Sequence, residues 1–231
     1  MKKRILISAC MVISAVALNA QGIYIRGGAG YGMPAATNDI GENYIHSVVY
    51  DNNGTSENNS TEVVTASYGA GVNFNAGFGF KFNENFIFDV GLQFIDGKKF
   101  ETSYIYKVTD IGYSSRDENI QTTQSSGLFI NPTFIFSAGF GKRAPYGKFG
   151  VILASPKVKS DEYYYSDADG VMETQTTWEY SGGLSVGYQT AIGINWKITD
   201  KLDVYTEAGF VSMTYYAKEG NMTSYIYNGE D

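Results

Sequence analysis

The chain has 231 residues, with 24 acidic side chains against 17 Lys and Arg, a formal net charge of -7. Aromatic residues make up 15%, glycines number 27 and charged residues reach only 18%, which excludes a long coiled coil and wholesale disorder. With no basic patch beyond Lys2, Lys3 and Arg4, the acidic balance also excludes a nucleic-acid surface.

Residues 1–20 read as a secretory signal peptide. Lys2, Lys3 and Arg4 form the positive start, an apolar run follows to Leu18, and small Ala20 precedes the expected cut. Ile7, Ser8, Ala9 and Cys10 resemble a lipobox locally, but the apolar run before them is too short. Cleavage would remove Cys10, the only cysteine, so no disulfide or thiolate chemistry is expected in residues 21–231. No later stretch is long and apolar enough for a transmembrane helix.

The remainder alternates with a period of two, the signature of strands with unlike faces. The first such segment, 22–31, sets Ile23 and Ile25 against Tyr24 and Arg26. The second, 63–82, is the cleanest. Phe74, Phe78, Phe80 and Phe82 share one face, and Gly71, Asn73, Asn75, Gly77 and Gly79 share the other. The same contrast recurs over 85–100, 125–141, 145–156, 178–198 and 201–217. Several of these runs exceed the roughly five or six residues usual in soluble sheets. Tight turns are expected near 83–85, 141–145 and 199–200, and long connections over 32–62, 101–124 and 157–177. Asn43 to Tyr50 and Glu62 to Ser67 read as an extramembrane hairpin, and Met222 to Tyr227 as a further short strand paired with the seventh. The pattern predicts an all-β chain, an antiparallel up-and-down transmembrane β-barrel of the eight-strand type in which seven strands are identifiable.

Alternation alone does not say which face points outward. A soluble barrel with an apolar interior would carry many Lys and Glu on its polar face. Here that face is mostly Gly, Asn, Ser and Gln, and the apolar face holds too many large groups to pack inside eight strands. The large side chains are therefore expected to face lipid. Rings toward both ends of the strands (Phe80, Phe86, Phe140, Tyr146 and Trp196; Tyr68, Tyr180, Tyr215 and Tyr216) suit two interfacial belts. Arg26, Asp89, Lys148 and Glu207 fall on the minor face and are expected to form a structural charge network there. Lys81, Lys197 and Asp203 lie near the tight turns.

The segments GIYIRGGAGYG at 22–32, YGAGVNFNAGFGFKFNENF at 68–86, GVILASPK at 150–157 and NWKITDKLDVYTEAGF at 195–210 resemble the OmpA-like small outer-membrane β-barrel family, in the style of its Bacteroidota members. The resemblance implies residence in the cell outer membrane, outer-membrane lipids and the barrel-assembly machinery as partners, and a non-enzymatic structural and surface-interaction role through long extracellular loops. A small passive pore and a lipid-modifying barrel enzyme are the alternatives. Residues 21–231 are expected to form the barrel domain, incomplete at its C-terminus, with the family's eighth strand and terminal aromatic signal and its peptidoglycan-binding domain not identifiable in this sequence.

Chemistry is sparse. His46 is the sole histidine and sits in the first long connection, where a general base would lack a positioned partner. Asp161, Glu162, Asp167 and Asp169 do not match a calcium-loop spacing. No catalytic, metal or cofactor site is expected. Tyr163, Tyr164 and Tyr165 are a candidate recognition patch for an unknown extracellular ligand.

Overall fold

The computed structural model describes residues 22–33, 38–52, 54–67, 69–138, 142–168 and 170–228. The export signal expected over 1–20 lies outside them, as do Tyr68, Phe140 and Asp169. The described residues form twelve strands in one sheet. In chain order they are β1 (Gly22–Gly32), β2 (Asn38–Asp51), β3 (Gly54–Ala66), β4 (Gly71–Lys81), β5 (Phe86–Gly97) and β6 (Phe100–Asp110), then β7 (Tyr113–Ser137), β8 (Arg143–Ser166), β9 (Met172–Ser181), β10 (Ser185–Lys197), β11 (Asp203–Met213) and β12 (Glu219–Tyr227). No helix among them is long and apolar enough to cross a membrane.

Two tiers share the long strands β7 and β8. The lower tier runs β1-β4-β5-β7-β8-β10-β11 and is antiparallel throughout. The upper tier runs β3-β2-β6-β7-β8-β9-β12, with β2 and β6 parallel. The single strands expected over 63–82 and 178–198 are each divided, into β3 and β4 and into β9 and β10. After β5 the chain passes Lys98 and Lys99 and keeps pairing with β7 as β6. After β9 it passes Gly182 and Gly183, whose positive φ values of 78 and 98° suit glycine, and keeps pairing with β8 as β10.

The ribbon formed by β1–β2 and β3–β4 changes sides between tiers. Below, β4 is the inner member and β1 the edge; above, β2 is inner and β3 the edge. This exchange sets β2 beside β6 with both running the same way. Backbones approach closely at the crossover, where a Cβ on Gly32 would strike the Gly69 carbonyl oxygen.

The expectation of a barrel is corrected here. The sheet is curved but open, and no ladder joins β1 to β11 among the described residues. A period of two fixes which residues share a face; it carries no information on whether the outermost strands meet. Because successive lower-tier strands alternate in direction, β1 and β11 run the same way, and an antiparallel ladder between them is impossible. The expected long connections are corrected too, since they form the upper-tier strands. Met222–Tyr227 pairs with β9 rather than with the preceding strand.

Tight turns link the lower strands. The Asn83 side chain accepts bonds from the backbone N–H groups of Asn85 (2.9 Å) and Phe86 (2.7 Å), and Ile198 N donates to Leu202 O at 2.9 Å. Burial alternates residue by residue along β5 and along β8 as far as Ser160. The large apolar set lies on the convex face, exposed: Ile25 by 86%, Ile192 by 73%, Phe136 by 57% and Phe74 by 56%. Rings on that face pack at a tilt, as in Phe88–Phe134 at 5.3 Å and Phe86–Phe136 at 5.3 Å. The concave face is less uniformly polar than the sequence suggests. Ile87, Ile135 and Tyr146 cluster near the tight turns, and Ile95, Phe129, Ile152 and Ala154 cluster further along.

Candidate functional site: the polar trough

The concave face lines a trough with a cavity volume of about 2510 Å³. Period-two geometry aims Arg26 of β1, Asp89 of β5, Lys148 of β8 and Glu207 of β11 onto this face. Register brings them into two ion pairs. Arg26 clamps Asp89, with Nη2 to Oδ1 at 2.6 Å and Nε to Oδ2 at 2.9 Å. The Tyr24 hydroxyl donates to Asp89 Oδ2 at 2.8 Å, and Thr133 Oγ1 lies 3.4 Å from the Asp89 carbonyl oxygen. Asp89 is fully buried, so these bonds replace water around its carboxylate. In the second pair, Lys148 Nζ donates to Glu207 Oε1 at 3.0 Å and the Tyr146 hydroxyl to Glu207 Oε2 at 2.9 Å.

Glycines make room for these groups. Gly79 pairs with Tyr24, and Gly193 with Tyr146, directly across a ladder. In each case a Cβ would strike the tyrosine ring. The glycines are therefore floors for aromatic rings that reach toward the carboxylates.

Polar residues of the same parity complete the lining. The Tyr205 hydroxyl of β11 donates to Asn75 Oδ1 of β4 at 2.9 Å, across the open side of the sheet. Asn131 Nδ2 donates to Gln93 Oε1 at 3.2 Å. The Asn131 Oδ1 and Gln189 Nε2 atoms are buried without a protein partner among the described residues. Parity along each strand places these residues with the charged set; their bonds across the trough depend on register between strands. Lys81 instead sits over the Tyr24 ring at 5.6 Å, and Lys197 pairs with Asp200 at 2.9 Å.

The tyrosine run does not form one patch. In β8, Tyr163 and Tyr165 project to the face opposite Tyr164. His46 lies in a strand rather than a loop. It lies in β2, stacked on Tyr106 at 4.9 Å, next to Tyr44 stacked on Tyr104 at 5.0 Å. Its Nδ1 is bonded to Asn59 Oδ1 and lies 3.7 Å from Glu57. Among the described residues no three His, Cys, Asp or Glu side chains gather as a metal site.

Asp161, on the upper part of β8, accepts bonds from Thr177 Oγ1 (2.7 Å) and Lys159 Nζ. Desolvation pushes its carboxyl up, but those bonds and the Lys159 charge outweigh it and hold the pKa below the ordinary aspartate value. With the folded value depressed, its contribution to stability is complete above the ordinary pKa and disappears as pH falls through the lowered one. An NMR titration should show a midpoint below that of a free aspartate, moving upward in Thr177→Val. A midpoint at or above the free value would contradict the geometry.

No protein-family model, curated protein or solved structure matches this chain. The open sheet overturns the OmpA-type assignment and, with it, the structural barrel, the passive pore and the barrel enzyme. A sheet whose outer strands do not pair surrounds no channel.

Proposed function

We propose that the chain is a non-catalytic, lipid-seated protein of the cell outer membrane, exported by a signal over residues 1–20. In this reading its convex face rests against lipid hydrocarbon, and its upper tier stands clear as an interaction surface. The observation that carries the proposal is the inversion of the sheet. Large apolar side chains are exposed across all seven lower strands, while the charged pairs lie inside the trough. Soluble monomers rarely expose apolar patches beyond a few hundred Å², and each buried CH₂ contributes about 0.8 kcal/mol toward leaving water. The upper tier differs in composition: β3, GTSENNSTEVVTA, is polar along most of its length.

Tryptophan probes test this. Phe74→Trp and Ile192→Trp are made in a chain whose Trp178 and Trp196 are replaced by Phe, then reconstituted in vesicles of brominated phosphatidylcholine. Both probes should be quenched most by bromines deep in the acyl chains. If neither is quenched and the protein is monomeric in water without detergent, the proposal fails.

A further inference from the structure

We infer that the gap between β1 and β11 is a docking slot for one extended strand of a partner polypeptide, running antiparallel to both edges. Four features of the edges carry this inference, and none depends on the lipid reading.

Direction comes first. β1 and β11 run the same way, so a single strand can be antiparallel to each of them at once. The second feature is width. The Tyr205 hydroxyl reaches from β11 to the place where a Cβ on Gly28 of β1 would sit. The edges are therefore no further apart than one tyrosine side chain and a bond. Two strand spacings amount to roughly 9.5 Å, so the slot can take no more than one strand.

Edge chemistry is the third feature. Natural edge strands are blunted by bulges, prolines or outward charges. The two upper-tier edges follow this rule, since the β2–β3 and β12–β9 ladders each contain a register shift. The two lower-tier edges do not. The β1–β4 and β10–β11 ladders run without a shift from end to end, and neither β1 nor β11 contains proline. Arg26, Asp203 and Glu207, the charged residues of these two strands, have the parity that faces the trough. Such edges are templates for continuing the ladders they already belong to.

The fourth feature identifies the occupant. On the convex side the slot is flanked by Ile25 and Phe210, both exposed. On the trough side it is flanked by Gly28 and the Tyr205 phenol. A fitting strand therefore alternates large apolar residues outward with small residues inward. A second copy of this chain is a poor donor, because every described strand is already held in a ladder.

The probe is a synthetic peptide of about ten residues in which Val and Phe alternate with Gly and Ser, added to the full chain in detergent micelles. Backbone amide exchange should slow by at least roughly tenfold in β1 and β11 together. The same peptide N-methylated at every second residue should give no protection. A peptide with Leu at the inward positions should be refused by the native chain and accepted by Tyr205→Ala. Protection of one edge alone, protection of neither, or protection that grows with protein concentration in the absence of peptide would overturn the assignment. These readouts need no bilayer, so their failure is separable from failure of the quenching experiment.

Discussion

Asp89→Ala should destabilise the folded sheet by about 3–5 kcal/mol, because it strands the Arg26 guanidinium in the trough without its counter-charge. The native carboxylate meets that guanidinium through two nitrogens and also takes the Tyr24 hydroxyl. Alanine removes the acceptor for all of these donors and leaves their desolvation uncompensated. Urea unfolding in micelles, followed by tryptophan fluorescence, reads the change as a lowered midpoint. Asp89→Asn should cost less, since it keeps the shape and one acceptor oxygen. Adding Arg26→Met to Asp89→Ala should recover part of the loss, because the pair is removed together. A double variant no more stable than Asp89→Ala would show that the buried charge is not what the sheet resists.

Gly79→Val should cost about 3 kcal/mol, although valine ordinarily favours strands. A side chain at 79 would occupy the space of the Tyr24 ring. The ring must then leave, and its hydrogen bond to Asp89 goes with it. Thermal unfolding of Gly79→Val, Tyr24→Ala and the double variant forms a cycle. The double variant should lose clearly less than the two singles added together, because once the ring is gone the valine has space. Additive losses would mean that Gly79 matters for its backbone rather than for the ring above it.

Much of the lower tier is legible in the residues themselves. The sequence TyrGlyAlaGlyValAsnPhe leading into β4, and Phe86 to Ile95 in β5, show their two faces without any partner strand in view. The inward placement of Arg26, Asp89, Lys148 and Glu207 follows from the same parity. The pairing of Arg26 with Asp89 does not, since it depends on β1 and β5 both flanking β4 in a particular register. The upper tier was harder to read. Residues such as Asn58, Ser60 and Thr61 lack a contrast between faces, because both sides of β3 meet solvent, and a strand without an apolar side resembles a loop. Gln121 to Gln124 carry the same ambiguity, which ladders on both sides of β7 resolve. The open edge was illegible for a different reason. Whether two outermost strands meet is decided by the number and tilt of all the strands between them, and no single segment records it.

The exchange of sides in the β1–β4 ribbon bears on how the molecule assembles. The β2–β3 hairpin closes where Asp51 pairs with Gly54 and needs only its own neighbours. Its parallel seating on β6 joins groups sixty positions apart, such as Asn43 and Ser103, so it carries a larger loop-closure cost and comes late. Opening of the hairpin at its tip leaves the exchange of sides in place, whereas full separation of β2 from β6 has to undo it. The upper arm is thereby moored twice, along β6 and at the glycine crossover beneath it.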